Sequence, residues 1–320
     1  MTAPADQTAR VSTTGKSVVN ALSVDIEDWF QFGASGDEVS REDFDTMNDR
    51  IVDNVVRLLD LFSEAGASAT FFISGSVARR RPDMVRAIAG AGHEVANHGF
   101  DHARVSTLDR KAFAQDLEKT RRILEDCTGQ PVLGYRAPSF SLNGQTIWAY
   151  EELARQNYTY SSSVLPIEHH QYGWSDAPRF AFQPLSWSPL VELPLATAKL
   201  GQGRIAGGGV GASRVRPYSV SRWAFRQINR VESRAGVFHC YPSEIDPNRP
   251  HLPVGANGSD RKSQTVDGMA SRLREFVLAF EWTRLDRLAG LEALEACAPA
   301  TPHNVRGIAS WPPYAEQIAS

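Results

Sequence analysis

The stretch from Val19 to Trp29 is an apolar run that stops abruptly in acids: Val19, Ala21, Leu22 and Val24 lead into Asp25, Glu27 and Asp28. A buried strand with this ending delivers its carboxylates to the rim of a sheet, where α/β folds build their sites. Strand alternation puts Asp25 and Glu27 on one face. Carboxylates so placed repel each other, and the folded state answers with a cation between them, a raised pKa or hydration. Taken alone, the stretch fits a hydrated acidic strand end equally well.

The same pattern recurs along the chain. Ala69 to Ile73, His93 to Asn97, Val132 to Tyr135 and Gly236 to Tyr241 read as strands, and Tyr158 to Val164 as extended. Thr46 and Asp49 read as a capping box before a helix bearing Ile51, Val55, Leu58, Leu59 and Phe62 and ending at Gly66. Further helices are expected over 82–91, 108–127, about 144–156, 218–231 and 268–288. Phe30 to Asp45 reads as a loop at the mouth. Between about 165 and 217 the prolines and Gly207-Gly208-Gly209 break the regularity, which predicts long loops and a hairpin. Strands alternating with helices predict an α/β fold on a largely parallel sheet.

Composition narrows the partners. A net charge of −3, with Lys and Arg scattered, gives no general attraction to nucleic acid or acidic membranes. Three cysteines, Cys127, Cys240 and Cys297, without a CxxC pair, suit reduced thiols. No segment approaches the roughly 20 apolar residues of a membrane span. Residues 1–16 are polar and do not read as a secretory signal, so the cytoplasm is the expected compartment.

Chemistry-bearing residues gather at the strand ends. His98 and His102 lie four apart, on one face if that segment is helical. Two imidazoles and a carboxylate form the donor set of a catalytic Zn²⁺ or related ion, although surface histidines at this spacing are common. Arg136, within Tyr135-Arg136-Ala137-Pro138-Ser139-Phe140, is either a solvated arginine at a proline turn or a guanidinium holding a carboxylate, with Asp25 the candidate. His239 and Tyr241 share a face of the last strand, and each alone is commonly a core residue. His169-His170 reads as a loop. Trp29, Phe32, Phe140, Trp174 and Trp187 fall in loops near strand ends, where they either face a ligand or, as aromatics more often do, fill the core.

Together, Ser23-Val24-Asp25-Ile26-Glu27-Asp28, His98-x-x-x-His102, Arg136-Ala137-Pro138-Ser139-Phe140 and Tyr241-Pro242-Ser243-Glu244-Ile245-Asp246-Pro247 resemble the polysaccharide deacetylases of the NodB-homology class, carbohydrate esterase family 4. More narrowly, Asp25 to Phe30, Tyr172-Gly173, Asp176 to Phe180, Ala206 to Gly209 and Glu244 to Pro247 are similar to the deacetylases of bacterial exopolysaccharide export loci. The resemblance implies a distorted (β/α)7-type barrel with a divalent metal at its C-terminal face. Residues 1–17, rich in Thr, Ala and Ser, read as a disordered tail, followed by a catalytic domain over 18–250 and a C-terminal helix and tail over 251–320 packed on the same domain. Asp25 matches the catalytic base and Arg136 the arginine that orients it. His98 and His102 match two metal ligands, and Glu27, with Asp28 as rival, is the carboxylate ligand of Zn²⁺, Co²⁺ or Ni²⁺. The implied reaction removes acetate from N-acetylhexosamine residues of a polysaccharide or its lipid-linked precursor, with the oxyanion held by the metal and a backbone N–H near Tyr135. Exopolysaccharide biosynthesis machinery is the implied partner, and the oligomeric state is open.

The chain departs from the family pattern where a histidine is usual before the Pro-x-Glu-Ile-Asp-Pro stretch, since Tyr241 stands there, and Ser161 follows Tyr160 where an aspartate is usual. A phenol, with an ordinary pKa near ~10, donates protons less readily than an imidazolium at neutral pH. His239, then Tyr241, are the candidate general acids. A non-catalytic carbohydrate-binding protein and a C–N hydrolase acting on a small non-sugar amide are the alternative functions.

Overall fold

The computed structural model describes residues 18–26, 50–168, 173–207, 218–247 and 268–294. The expected tail at 1–17, the loop at 30–45, the Thr46/Asp49 box, Glu27, Asp28, His169, His170 and the last twenty residues lie outside them. β1 (Val19–Ile26) pairs in parallel with β2 (Thr70–Ile73), and the sheet continues through β3 (Glu94–Asn97), β4 (Gly134–Tyr135), β5 (Tyr160–Ser161) and β6 (Val191–Glu192). β7 (Thr197–Leu200) and β8 (Gly203–Ala206) form the antiparallel hairpin expected in the irregular region. β9 (Val237–Cys240) pairs with the other edge of β1, and a parallel bridge from Leu195 to Val237 brings the chain beyond β6 round to it. The sheet therefore curls into a distorted β/α barrel, and its parallel strands present their C-terminal ends at one rim.

Helices α1 (Ile51–Glu64), α2 (Gly75–Arg80), α3 (Pro82–Gly90), α4 (Arg110–Thr128), α5 (Trp148–Arg155) and α6 (Tyr218–Arg226) follow the strands. Local chemistry sets their ends. At α4 the Asp109 carboxylate accepts the Ala112 N–H at 2.7 Å, and Gly129 stops the helix in the left-handed region at φ 65°. Strand alternation divides the core in two. Leu22, Val24, Phe71 and Ile73 pack with helix residues such as Val55, Leu58 and Leu117, whereas Ala21, Phe72, Ala96, Tyr160 and Val237 form the barrel interior. Tyr160 requires a glycine on the neighbouring strand, because a Cβ on Gly134 would lie 2.0 Å from its ring.

Sequence periodicity gave no element over 75–80, where α2 is too short to show a period, and it misjudged the C-terminal segment. The single helix expected over 268–288 is α7 (Met269–Val277), β10 (Glu281–Thr283) and α8 (Leu285–Leu294). The chain turns after Val277 because Phe276, Phe280 and Trp282 gather with Phe225 and Phe238, and the Trp282 indole N–H donates to the Val277 carbonyl at 2.8 Å. β10 then pairs with the first residues of β1, so this segment is a strand of the main sheet. Among the described residues no helix is long and apolar enough to cross a membrane.

α8 plugs the barrel at the end opposite the rim. Its Leu285, Leu288 and Ala289 join the interior cluster, and its Leu285 N–H donates to Thr70 Oγ1 at 2.8 Å. Glu94, pointing inward from the start of β3, accepts from the Thr70 hydroxyl, the Tyr160 hydroxyl at 2.8 Å and the Asp286 N–H at 3.2 Å. Burial, then the nearby Asp286 carboxylate, raise its pKa from 4.5 to about 7. Between these values the folded chain holds a proton that the unfolded chain has lost, so stability falls as pH rises through this window. Burial also lowers the His93 pKa from 6.5 to about 4, which makes stability rise with pH in both proteins, so urea unfolding from pH 4.5 to 8 is expected to show wild-type stability falling relative to that of Glu94→Gln as pH rises; a constant difference between the two would remove Glu94 as its source.

Candidate active site

The inward positions of β1 climb from Ala21 through Ser23 to Asp25, the last of them at the rim. Arg136 immediately follows β4, and alternation turns it inward past Gly134. Its Nη1–H donates to Asp25 Oδ1 at 2.6 Å and to Ser23 Oγ at 2.8 Å. Its Nε–H donates to the Ser162 carbonyl, and its Nη2–H to the Ser162 hydroxyl, both at 2.8 Å. The guanidinium lies 4.1 Å from the Phe72 ring centroid. Both charged residues are essentially inaccessible, Arg136 at 0% and Asp25 at 1% exposure. The pair thus sits in a low dielectric with its hydrogen-bonding capacity engaged, the condition under which burying two charges is tolerable.

His98 follows β3 and is buried, with Nδ1 2.9 Å from the Arg136 carbonyl oxygen. A carbonyl only accepts, so Nδ1 is the donor in this contact. The segment to His102 is not the helix that would align an HxxxH pair, because Gly99 and His102 adopt φ values of 71° and 60°. Its shape is imposed from outside. Asn97 Oδ1 accepts the Gly99 N–H at 2.8 Å, the Asp116 carboxylate accepts the Phe100 N–H at 3.0 Å, and the first N–H groups of α2 donate to the Gly99 and Phe100 carbonyls at 2.9 Å. The loop still brings the two imidazoles together, with ring centroids 5.3 Å apart.

His239 points inward from β9, and its Nδ1 lies 3.5 Å from Asp25 Oδ2, the oxygen opposite the one Arg136 holds. Its ring meets Phe140 edge-on at 5.1 Å and Tyr241 at 4.9 Å. Tyr241 is one inward position nearer the rim and 8% exposed. The segment after it is anchored, since Glu244 accepts the Tyr218 hydroxyl at 3.0 Å and Asp246 accepts from Arg50 Nε at 2.6 Å and Nη2 at 2.9 Å. The N–H groups just after Tyr135 are both engaged, that of Arg136 with the Asn97 carbonyl and that of Ala137 with Ser163 Oγ, each at 2.9 Å. Neither is spare for an oxyanion.

Asp25, His98, His102, Arg136, His239 and Tyr241 therefore converge at one end of the barrel, while the expected metal carboxylate, Glu27, lies outside the described residues. Among the described residues no group of three or more His, Cys, Asp or Glu side chains is placed to hold a metal ion. Phe140 and Trp174 are buried and serve the core, whereas Trp187 is 63% exposed. Sequence reasoning missed Ser23 and Ser162. Ser23 shares the face of Asp25 by alternation, and the Ser161-Ser162-Ser163 run at a strand end was a visible signal. Arg136→Ala, which leaves Asp25 buried without its cation, is expected to lower unfolding free energy in urea by about 3–5 kcal/mol; a loss within about 0.5 kcal/mol, typical of surface changes, would show the pair to be structurally idle.

Residues 43–158 match the polysaccharide deacetylase family model, and residues 162–290 match a domain of unknown function, DUF3473. The chitooligosaccharide deacetylase of Sinorhizobium fredii is 32% identical over 45% of this chain and 60% of its own length. The peptidoglycan deacetylase of Helicobacter pylori is 29% identical over 49% of this chain and 53% of its own. The chain thus spans little more than half the length of these two relatives. A crystal structure from Mycobacterium smegmatis, described as a candidate polysaccharide deacetylase, superposes with a TM-score of 0.60 at 24% identity, covering 90% of this chain and 94% of that one, and so shares the fold. The segment that supplies His98, His102 and Arg136 is therefore similar in sequence to the polysaccharide deacetylases, on a barrel of the same architecture.

Proposed function

We propose that this chain is a metal-dependent N-deacetylase that hydrolyses the acetamido group of N-acetylhexosamine residues in a bacterial polysaccharide or its lipid-linked precursor, releasing acetate. The observation that carries this reading is the Asp25 carboxylate held between Arg136 and His239 at the rim that also bears His98 and His102. The names of the two relatives, which act on chitooligosaccharide and peptidoglycan, point to the same substrate class.

The donor set fits a divalent ion. His98 Nδ1 is held by the Arg136 carbonyl, the usual arrangement for a histidine that ligates a metal through its other ring nitrogen. His102 stands beside it, and Glu27, two residues beyond Asp25 on the same alternation, is the proposed carboxylate ligand. Zn²⁺ suits these ligands best, with Co²⁺ or Ni²⁺ as substitutes, and supplies Lewis acidity toward water and the acyl oxygen when bound.

The chain's own residues handle the protons. Arg136 occupies Oδ1 of Asp25, which leaves Oδ2 to take the proton of the attacking water. His239 lies beside that oxygen, and we assign it the delivery of a proton to the departing sugar amine. Phe72 and Phe140 flank Arg136, and Asp25 and His239 are themselves buried, so these transfers occur away from bulk water. The narrower resemblance to export-locus deacetylases extends the proposal to an exopolysaccharide and its assembly machinery. The catalytic unit is read as 18–250 with 251–320 packed on it, and the compartment as the cytoplasm; finding the native protein only in the periplasm would refute the latter.

Purified protein reconstituted with Zn²⁺, Co²⁺ or Ni²⁺ is expected to bind near one equivalent by elemental analysis, and the His98→Ala/His102→Ala variant none. No tight metal in the wild type would favour the carbohydrate-binding alternative. Acetate release from N-acetylglucosamine oligosaccharides is expected to fall on the order of 100-fold or more in His239→Ala and to change little in Tyr241→Phe. The reverse pattern would transfer the proton-donor role to Tyr241.

A further inference from the structure

Glu192 is a buried acid that the sequence did not single out. It lies on β6 opposite Ser161 of β5 and is completely buried. Its Oε1 accepts the N–H groups of Ser163 at 2.7 Å and Val164 at 3.0 Å, and its Oε2 accepts the Tyr150 hydroxyl at 3.1 Å. The Ser161 hydroxyl also donates to it, and lies 2.8 Å from Ser163 Oγ. All four groups are neutral, so a carboxylate surrounded by them carries the desolvation cost of burial, which pushes its pKa up. A barrel needing only a filled position here would be served by an apolar side chain.

The residues Glu192 grips flank the one that holds Arg136. Ser162, between Ser161 and Ser163, accepts the Arg136 Nε–H on its carbonyl and the Nη2–H on its hydroxyl. Ser163, clamped by Glu192 through its N–H, also takes the Ala137 N–H on its hydroxyl, the residue next to Arg136. The carboxylate thus fixes the backbone at 161–164 from the outer side while Arg136 reads that backbone from the inner side. A planar guanidinium bonds well only when its acceptors are pre-placed, and its remaining fork meets Asp25 Oδ1 and Ser23 Oγ.

We propose that Glu192 is a positioning residue for the Arg136–Asp25 pair: through Ser161, Ser163 and Val164 it sets the Ser162 acceptors that aim the guanidinium at Asp25. It touches neither Arg136 nor substrate. This rests on the deacetylase reading only for its kinetic consequence. The geometric consequence, the aim of Arg136, is observable in the protein without turnover.

The test compares the full chain with Glu192→Gln, which keeps the shape and an acceptor but removes the charge, and Glu192→Asp, which keeps the charge one methylene shorter. In ¹⁵N NMR the buried Arg136 Nε–H is expected to shift and to exchange with water about tenfold faster in Glu192→Gln, with partial recovery in Glu192→Asp. In acetate-release assays with N-acetylglucosamine oligosaccharides, kcat is expected to drop by about 10–100-fold with KM nearly unchanged, the usual size of an effect acting through a neighbour. If Glu192→Gln does not fold, Tyr150→Phe, which removes one donor from Oε2, is expected to move the same signal in the same direction. An unmoved Arg136 signal in the variants that fold would overturn the proposal, even if thermal stability falls. If the wild type releases no acetate while the Arg136 signal responds as described, the deacetylase reading fails and the positioning role stands.

Discussion

A guanidinium and a carboxylate removed from water set the terms for this molecule. The Arg136–Asp25 pair is tolerable only because neighbouring strands supply its other contacts: Ser23 from β1, the Phe72 face from β2, and the Ser162 carbonyl and hydroxyl just beyond β5. Losing any of the three oxygen acceptors leaves an N–H group unsatisfied in a dry interior, at a cost of about 1–3 kcal/mol or more. The pair therefore couples the site to the fold. The sheet must curl far enough for β1 and β5, which are not neighbours, to approach across the barrel interior.

Other buried acids are handled differently. Glu94, at the closed end, relies on hydroxyls and one N–H and takes a pKa of about 7. Glu192, on the outer side of β6, relies on two N–H groups and hydroxyls. Asp246 has Arg50 and Asn54 and ties the segment after β9 to the start of α1. Of the inward-facing acids, the one opposed by an arginine is Asp25, at the open rim where an ionised carboxylate has chemical use. The closed end, by contrast, tolerates a carboxyl that protonates near neutrality.

The division of labour along the chain follows from this geometry. The segment matching the polysaccharide deacetylases brings His98, His102 and Arg136. Asp25 and Ser23 come from before it, while Ser162, Glu192, His239 and Tyr241 fall in the second matched region. That second region completes the barrel through β6 and β9 and contributes the acceptors and the imidazole that face Asp25. A site assembled from all these pieces explains why a match over the central segment by itself describes only part of the chemistry.

Much of the site was readable before any coordinates. Apolar runs ending in polar residues announce parallel strands whose side chains alternate with a period of two, so Asp25, Arg136 and His239 could be assigned to strand ends and to faces from local order alone. The hairpin between β7 and β8 was legible for the same reason, since residues within a few positions of one another determine it. Packing at a distance was not. The loop joining His98 to His102 takes its shape from Asp116 and α2. The helix expected at 268–288 gives way to a strand because aromatic residues from α6 and β9 draw the chain back. The partners of Arg136 beyond Asp25 likewise lie on strands remote in sequence. Period and composition name the strand and the face of a residue; which strands become neighbours, and so which polar groups must satisfy one another out of water, is set by the closure of the barrel.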